Sequence, residues 1–393
     1  MQGAKAGAPT ETKMVQSKSQ EEQMSNLKET KPTTRRAVLQ AGLAMAGLPL
    51  SGLFARHAAA QTRTVTKVLD FTTTADMTKA EQEGEFLFYT HDGEPAAAGI
   101  CEAFAKDFPK IKGKYLRAQN GALFSKILAE RSAGRFAVDV IQFSEPATAL
   151  DFQKRGGYQR HVSTQSEFYA PEHLSNPVGD CFCVGVTFAG ICYNTDKVKP
   201  EEAPKTWKDI LDPKWLNAMS VKQSTSGLQF VQWYELRKLY GEGFWKEFAK
   251  LRPRGFDSRA QLFDRLAKGD DKVCALAELA GYLLQKEKGA HIAFVTPADG
   301  LPAGTLWNGV VDRAPHPEAA RLFVDWLMSP RGQMHYQNNP FLYYGSVRKD
   351  APPMPGGTRL RDFKLLAPSA AEMGTYMASQ EAFTKEWNGM LGL

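Results

Sequence analysis

Between residues 85 and 143 the apolar residues switch repeatedly between strand and helix spacing, and that alternation restricts the fold more than any other feature. Glu85-Phe-Leu-Phe-Tyr89 is a short apolar, aromatic run that reads as a strand. Pro95–Phe108 brings Ile100, Phe104 and Phe108 onto one helical face, and Pro109 ends it. Lys112–Leu116 is a second strand. Ala122–Ala133 is a second helix, with Leu123, Ile127 and Leu128 turned inward and Gly134 as its C-terminal stop. Val138–Phe143 is a third strand. Strand, helix, strand, helix, strand within about 60 residues implies a right-handed α/β unit with a parallel sheet.

The chain is 393 residues long, enough for two such units. Cys181–Tyr193 is a long β-run broken at Ala189-Gly190. Thr206–Trp215 reads as a short helix with an Asp-Pro turn. Val231–Tyr240, Phe244–Leu251 and Ser258–Lys268 have helical spacing, while Val273–Leu279 and Ile292–Val295 read as strands. Ala314–Met328 is strongly periodic, with Ala319, Leu322, Phe323, Trp326 and Leu327 on its inner face. A Pro/Gly-rich loop, Pro352–Gly357, precedes a last helix starting near Ser369.

The basic balance is uneven. Of the formal net charge of +6, residues 1–60 carry +4 and the remainder only +2, so a nucleic-acid surface is not implied. Residues 1–33 are polar and aperiodic. Thr34-Arg35-Arg36 then leads into a mildly apolar stretch, Ala37–Phe54, and Ala58-Ala59-Ala60 closes it with small residues. Twin arginines, an apolar stretch and an A-x-A site read as a twin-arginine export signal over 1–60. An uncleaved membrane anchor is the alternative, although 18 residues are short for a span. Five cysteines come after it: 101, 181, 183, 192 and 274. A Cys183–Cys192 cross-strand disulfide is one reading and buried inert thiols the other. Nothing in their spacing supports a zinc site.

The order of segments resembles the bacterial extracellular solute-binding proteins of the iron(III), aminoethylphosphonate, thiamine and spermidine class. The resemblance is carried by Tyr89-Thr90, Ala103-Phe-Ala-Lys-Asp-Phe-Pro109, Ala129-Glu130-Arg131 with Gly134, Val138-Asp139-Val140 and Tyr193-Asn194-Thr195. It continues through Pro204-Lys-Thr-Trp207 to Asp212-Pro-Lys-Trp215, then Ala314–Ala320, Phe323–Ser329 and Gly332-Gln333. It covers roughly residues 84–350. The implied fold is an α/β protein of two lobes, with two mostly parallel sheets flanked by helices. One lobe is expected over 84–185 plus 300–393 and the other over 190–293, joined by two hinge strands near 183–194 and 294–304. The implied function is capture of a small solute in the interlobe cleft, in the periplasm, for an inner-membrane ABC permease. The protein is expected to act as a monomer, with no cofactor, no catalytic residue, no resident metal and no nucleic-acid partner.

In such sheets ligands gather beyond the carboxyl ends of the strands. That rule selects Thr90, His91 and Asp92, then Asn120 and Gly121, then Ser144 and Glu145. In the second lobe it selects Ser224, Thr225, Ser226 and Gly227, whose hydroxyls and N–H groups make an anion cradle before a helix. Glu278 and Tyr282, after the returning strand, are expected to reach the same cleft. The implied solute is small and anionic. A ferric-iron reading stays beside it, because iron-binding members use paired tyrosines after the returning strand. Here only Tyr282 falls there, and Tyr343-Tyr344 comes too late in the chain. An enzyme on the same fold is the rival of another class, but no G-x-S-x-G, H-E-x-x-H, P-loop or G-x-G-x-x-G occurs. A sensor component that passes its solute to a kinase is a third.

Overall fold

The computed structural model describes residues 63–393 apart from 257, 356 and 370; the export-signal reading of residues 1–60 lies outside that range. A hairpin of β1 (Thr66–Val68) and β2 (Phe71–Thr73) and a helix α1 (Met77–Glu83) come first. Next are β3 (Glu85–Thr90), α2 (Glu94–Asp107), β4 (Lys112–Arg117), α3 (Asn120–Ser132), β5 (Val140–Phe143) and α4 (Pro146–Lys154). The three strands are parallel in the order β4-β3-β5. Side-chain alternation along β3 decides which helix covers which face. Phe86 and Phe88 join Ile100 and Phe104 of α2 on one side, while Tyr89 joins Leu123 and Ile127 of α3 on the other.

The second half contains β6 (Phe182–Asn194), β7 (Met219–Lys222), α5 (Leu228–Tyr240), α6 (Phe244–Lys250), β8 (Arg254–Phe256) and α7 (Arg259–Lys268). It continues with β9 (Val273–Glu278), α8 (Leu279–Glu287), β10 (Ile292–Val295) and β11 (Leu301–Val310). The C-terminal part adds α9 (Pro317–Met328), α10 (Pro330–Asn338), β12 (Leu365–Leu366), α11 (Met373–Ala378) and α12 (Gln380–Leu391). The inner face expected of α9 is buried throughout, with Phe323 stacked 4.2 Å from Phe86.

β6 joins the halves. Its 13 residues reach about 40 Å at the usual rise. The first part pairs antiparallel with β11, and the last part pairs antiparallel with β9 and β10. The result is a two-lobed α/β molecule threaded by one continuous, mixed ladder rather than two separate, mostly parallel sheets. At the break expected at Ala189-Gly190 the strand itself continues, but its register against β9 shifts between Gly190 and Cys192. Gly190 instead lets β10 approach: a Cβ there would lie 2.4 Å from the Val295 carbonyl oxygen. Thr206–Trp215 forms two 3₁₀ turns, Trp207–Leu211 and Pro213–Trp215, because Pro213 interrupts the first.

The lobe contents also differ from expectation. The first core reaches back before residue 84, taking in Phe71, Ala75 and Ala80. The assignment of all of 300–393 to the first lobe does not hold for its end. Tyr376, Phe383 and Trp387 belong to the second core, where Phe230 of α5 stacks on Tyr376 at 4.0 Å and on Phe383 at 5.1 Å. β12 runs beside the start of β11 on the way, so the chain passes between the lobes a third time.

A Cys183–Cys192 disulfide is excluded by geometry. Both lie on β6, nine residues apart, about 30 Å along an extended strand. All five cysteines are free and buried. No helix among the described residues is long and apolar enough to cross a membrane.

Candidate functional site

Gln142 is the polar residue in Val140-Ile-Gln-Phe143, and it organises the first lobe's strand ends. Its Oε1 accepts from Asn308 Nδ2 and from the Tyr336 hydroxyl, both at 2.9 Å. This fixes Nε2 as the donor side, which reaches Asp92 Oδ2 at 2.6 Å and Thr90 Oγ1 at 3.3 Å. The other Asp92 oxygen accepts from the Tyr344 hydroxyl at 2.5 Å. Thr90 and Asp92 are buried and already partnered within the first lobe. They support His91, whose Nδ1 lies 3.3 Å from Gln142 Nε2 and whose side chain keeps 16% of its surface. Burial lowers the His91 pKa; Asp92 opposes this, and Arg117 and Lys222 reinforce it. The imidazole is thus held neutral, with charged groups of both lobes around it.

Across the gap, Glu278 ends β9. Arg259 Nη1 donates to it at 3.1 Å and Lys222 Nζ lies 3.6 Å away. Burial pushes its carboxyl up, but the two cations outweigh that and hold it below the ordinary range. The lobes touch here: Arg259 also donates to the Phe341 carbonyl at 3.3 Å, and the Tyr343 hydroxyl donates to Glu287 at 2.9 Å.

A second contact between lobes gathers the remaining candidates. Asn120 Oδ1 accepts from the Ser144 N–H at 2.9 Å, and its Nδ2 donates to Thr148 at 3.0 Å and Glu145 Oε2 at 3.4 Å. Glu145 Oε1 accepts from the Gly227 N–H, across the cleft, at 2.9 Å. Gly227 (φ +66°) opens α5 without a side-chain cap, a backbone conformation suited to glycine. A carboxylate of the first lobe therefore occupies a helix N-terminus of the second. Burial raises the Glu145 carboxyl; the Gly227 N–H and Thr148 hydroxyl work the other way. Ser224 and Ser226 hydroxyls lie 3.3 Å apart in the same loop, and the Thr225 carbonyl accepts from Gln380 at 2.6 Å. Gly121 is exposed in the first turn of α3, with open space where a Cβ would stand.

Tyr282 is the candidate that belongs elsewhere. It lies one turn into α8 and packs on Phe294 at 5.5 Å, beside Phe263 and Cys192. The turn of the helix carries it away from the strand end that Glu278 occupies. The residues that sequence reasoning missed are Gln142, Tyr344, Lys222, Arg259 and Arg117. Gln142 had a signal, a polar residue inside an apolar strand. A surface depression lined by Glu201, Lys208, Asp212 and Lys214 holds none of the candidates. Among the described residues no three His, Cys, Asp or Glu side chains gather to hold a metal ion.

Two α/β lobes, joined by strands they share and meeting through polar strand ends, define a solute-binding clamp. Residues 138–362 match the family described as bacterial extracellular solute-binding protein, and the chain belongs to it. Iron uptake protein A1 of Synechocystis sp. is 28% identical over 253 residues, covering 59% of this chain and 68% of that relative. Two solved structures share the fold. AfuA of Actinobacillus pleuropneumoniae, a periplasmic binding protein with fructose-6-phosphate bound, is 20% identical with a TM-score of 0.66 over 79% of this chain and 99% of its own. Iron-bound HitA of Pseudomonas aeruginosa is 19% identical with a TM-score of 0.67 over 77% and 99%. The chain is accordingly a solute-binding protein of the extracellular class.

Proposed function

We propose that this protein binds one small anionic solute between its lobes and performs no chemistry on it. His91 contributes from the first lobe; Lys222, Arg259 and the N-terminus of α5 contribute from the second. The observation that carries the reading is the Glu145 carboxylate on the Gly227 N–H: an oxyanion already rests where a solute's would. AfuA, with its phosphorylated sugar, supports the same chemistry. In this account the first lobe is 63–185 with 300–362, the second is 190–293 with 373–391, and the hinge lies where β6 and residues 294–304 cross. Closure brings both sets of groups onto the solute. The protein works as a monomer in the periplasm, reached through the twin-arginine signal, and delivers its solute to an inner-membrane ABC permease.

Ferric iron is the second reading. It is favoured by the names of the relatives and by the donor types that Glu145, His91 and Tyr344 offer, a carboxylate, an imidazole and a phenol. Against it, the Tyr344 hydroxyl is already given to Asp92, and burial and Asp92 push its pKa well up, away from the phenolate iron requires. A thermal-shift screen with sugar phosphates, phosphonates, carboxylates, thiamine, polyamines and ferric salts separates the two. An oxyanion solute raising the melting temperature supports the proposal; a response to ferric salts alone overturns it.

A further inference from the structure

The C-terminal arm, α11 with α12, covers the same end of α5 that receives Glu145. Tyr376 of α11 is 2% exposed. Its ring stacks on Phe230 at 4.0 Å and 20°, and meets Tyr234 edge-on at 5.2 Å. Phe230 lies in the first turn of α5, three residues beyond Gly227. One turn after Tyr376, Gln380 Nε2 donates to the Thr225 carbonyl at 2.6 Å; further on, Trp387 Nε1 donates to the Lys222 carbonyl at 3.2 Å. The arm thus holds the backbone of the cradle loop at Thr225 and the end of β7 that leads into it at Lys222.

The Tyr376 hydroxyl is buried and has no hydrogen-bond partner among the described residues. A buried phenol ordinarily finds one, so this hydroxyl calls for a partner. Burial raises its pKa, and the charge of Glu145 raises it further, ahead of that of Glu235; the hydroxyl therefore remains a donor, within reach of the Glu145 carboxylate's field. Gly227 N–H, Asn120 Nδ2 and the Thr148 hydroxyl already converge on that carboxylate. Glu145 belongs to the opposite lobe and leaves this spot when the lobes part.

We propose that the C-terminal arm forms one wall of the ligand site, and that Tyr376 donates its hydroxyl to the solute's oxyanion once Glu145 gives up its place on α5. This rests on the anionic-solute reading. The hydroxyl is neutral, so it selects by position rather than by charge. Its removal costs the fold nothing, because it has no partner to lose and the phenyl ring keeps the stack on Phe230.

The test is calorimetric titration of the full chain and of Tyr376→Phe with fructose 6-phosphate, inorganic phosphate and citrate, beside their melting temperatures. The expected result is binding of at least one probe by the parent chain. Tyr376→Phe then binds it about 5- to 10-fold more weakly, one neutral hydrogen bond's worth, with an unchanged or higher melting temperature. Equal affinity in the two proteins overturns the role of Tyr376 and leaves the anionic reading standing. A lower melting temperature in Tyr376→Phe also overturns it, since the hydroxyl would then have a structural partner. A parent chain that binds none of the three probes overturns both.

Discussion

Replacing Glu145 with alanine removes a hydrogen bond that ties one lobe to the other. The bond to the Gly227 N–H is 2.9 Å long and charge-assisted, with weaker contacts at 3.4 Å to Asn120 and Thr148 on its own side. Such bonds contribute about 1.5–3 kcal/mol. Burial offsets part of this, as the raised Glu145 pKa indicates, which leaves about 1–2 kcal/mol for closure. Without solute, the closed-to-open ratio of Glu145→Ala should therefore fall by about 5- to 30-fold. Glu145→Gln keeps an acceptor oxygen without a charge to bury, so it should stay near the parent. The assay is single-pair fluorescence transfer between one dye on exposed Lys154 and one on exposed Lys246, with solute absent. An unchanged distance distribution in Glu145→Ala would show that the contact contributes nothing to closure.

The same structure sets other outcomes. Trp387→Ala empties a site that is 1% exposed beside Trp245 and Phe383, and should cost about 3–5 kcal/mol in urea unfolding. Gly190→Ala drives a methyl group against the Val295 carbonyl and should cost about 1–3 kcal/mol by the same measurement. His91 has a lowered pKa when folded, so the unfolded chain binds its proton first. Its contribution to stability is present above the ordinary value of 6.5 and is lost as pH falls below it. His91→Gln should flatten the acid limb of the urea midpoint below about pH 6.5. Burial pushes the Cys101, Cys183 and Cys274 thiols to about 12, so a chromogenic disulfide reagent at pH 8 should find no reactive thiol in the native protein and all five after unfolding.

The parts of the fold that local patterns dictate are legible in the sequence. β3, α2, β4 and α3 fall within two residues of where Phe and Leu spacing puts them, and Gly134 takes the left-handed conformation (φ +69°) its position requires. The strand-end rule also finds Asn120, Glu145 and Gly227, which the structure brings together. Long-range choices are not legible. Nothing in Ser369–Leu391 says which lobe its aromatic face will cover; the partner is Phe230, some 150 positions earlier. Tyr344 stands out as half of a tyrosine pair, but its contact with Asp92 spans 252 residues and depends on Gln142 being pinned by Asn308 and Tyr336. Tyr282 escapes strand-end reasoning, which fixes the last strand residue, whereas helix phase decides where the next side chains point. Gly190 has the look of a stop, but its role is close approach of a neighbouring strand.

Capture of one oxyanion by cationic groups between the two lobes can be measured by titrating the full chain and a Lys222→Ala/Arg259→Ala variant with the solute that stabilises the parent most in the thermal screen. The parent should bind one equivalent. The variant leaves Glu278 uncompensated in the cleft, so affinity should fall at least about 10-fold. An affinity that does not change when both cations are removed would show that they do not hold the solute.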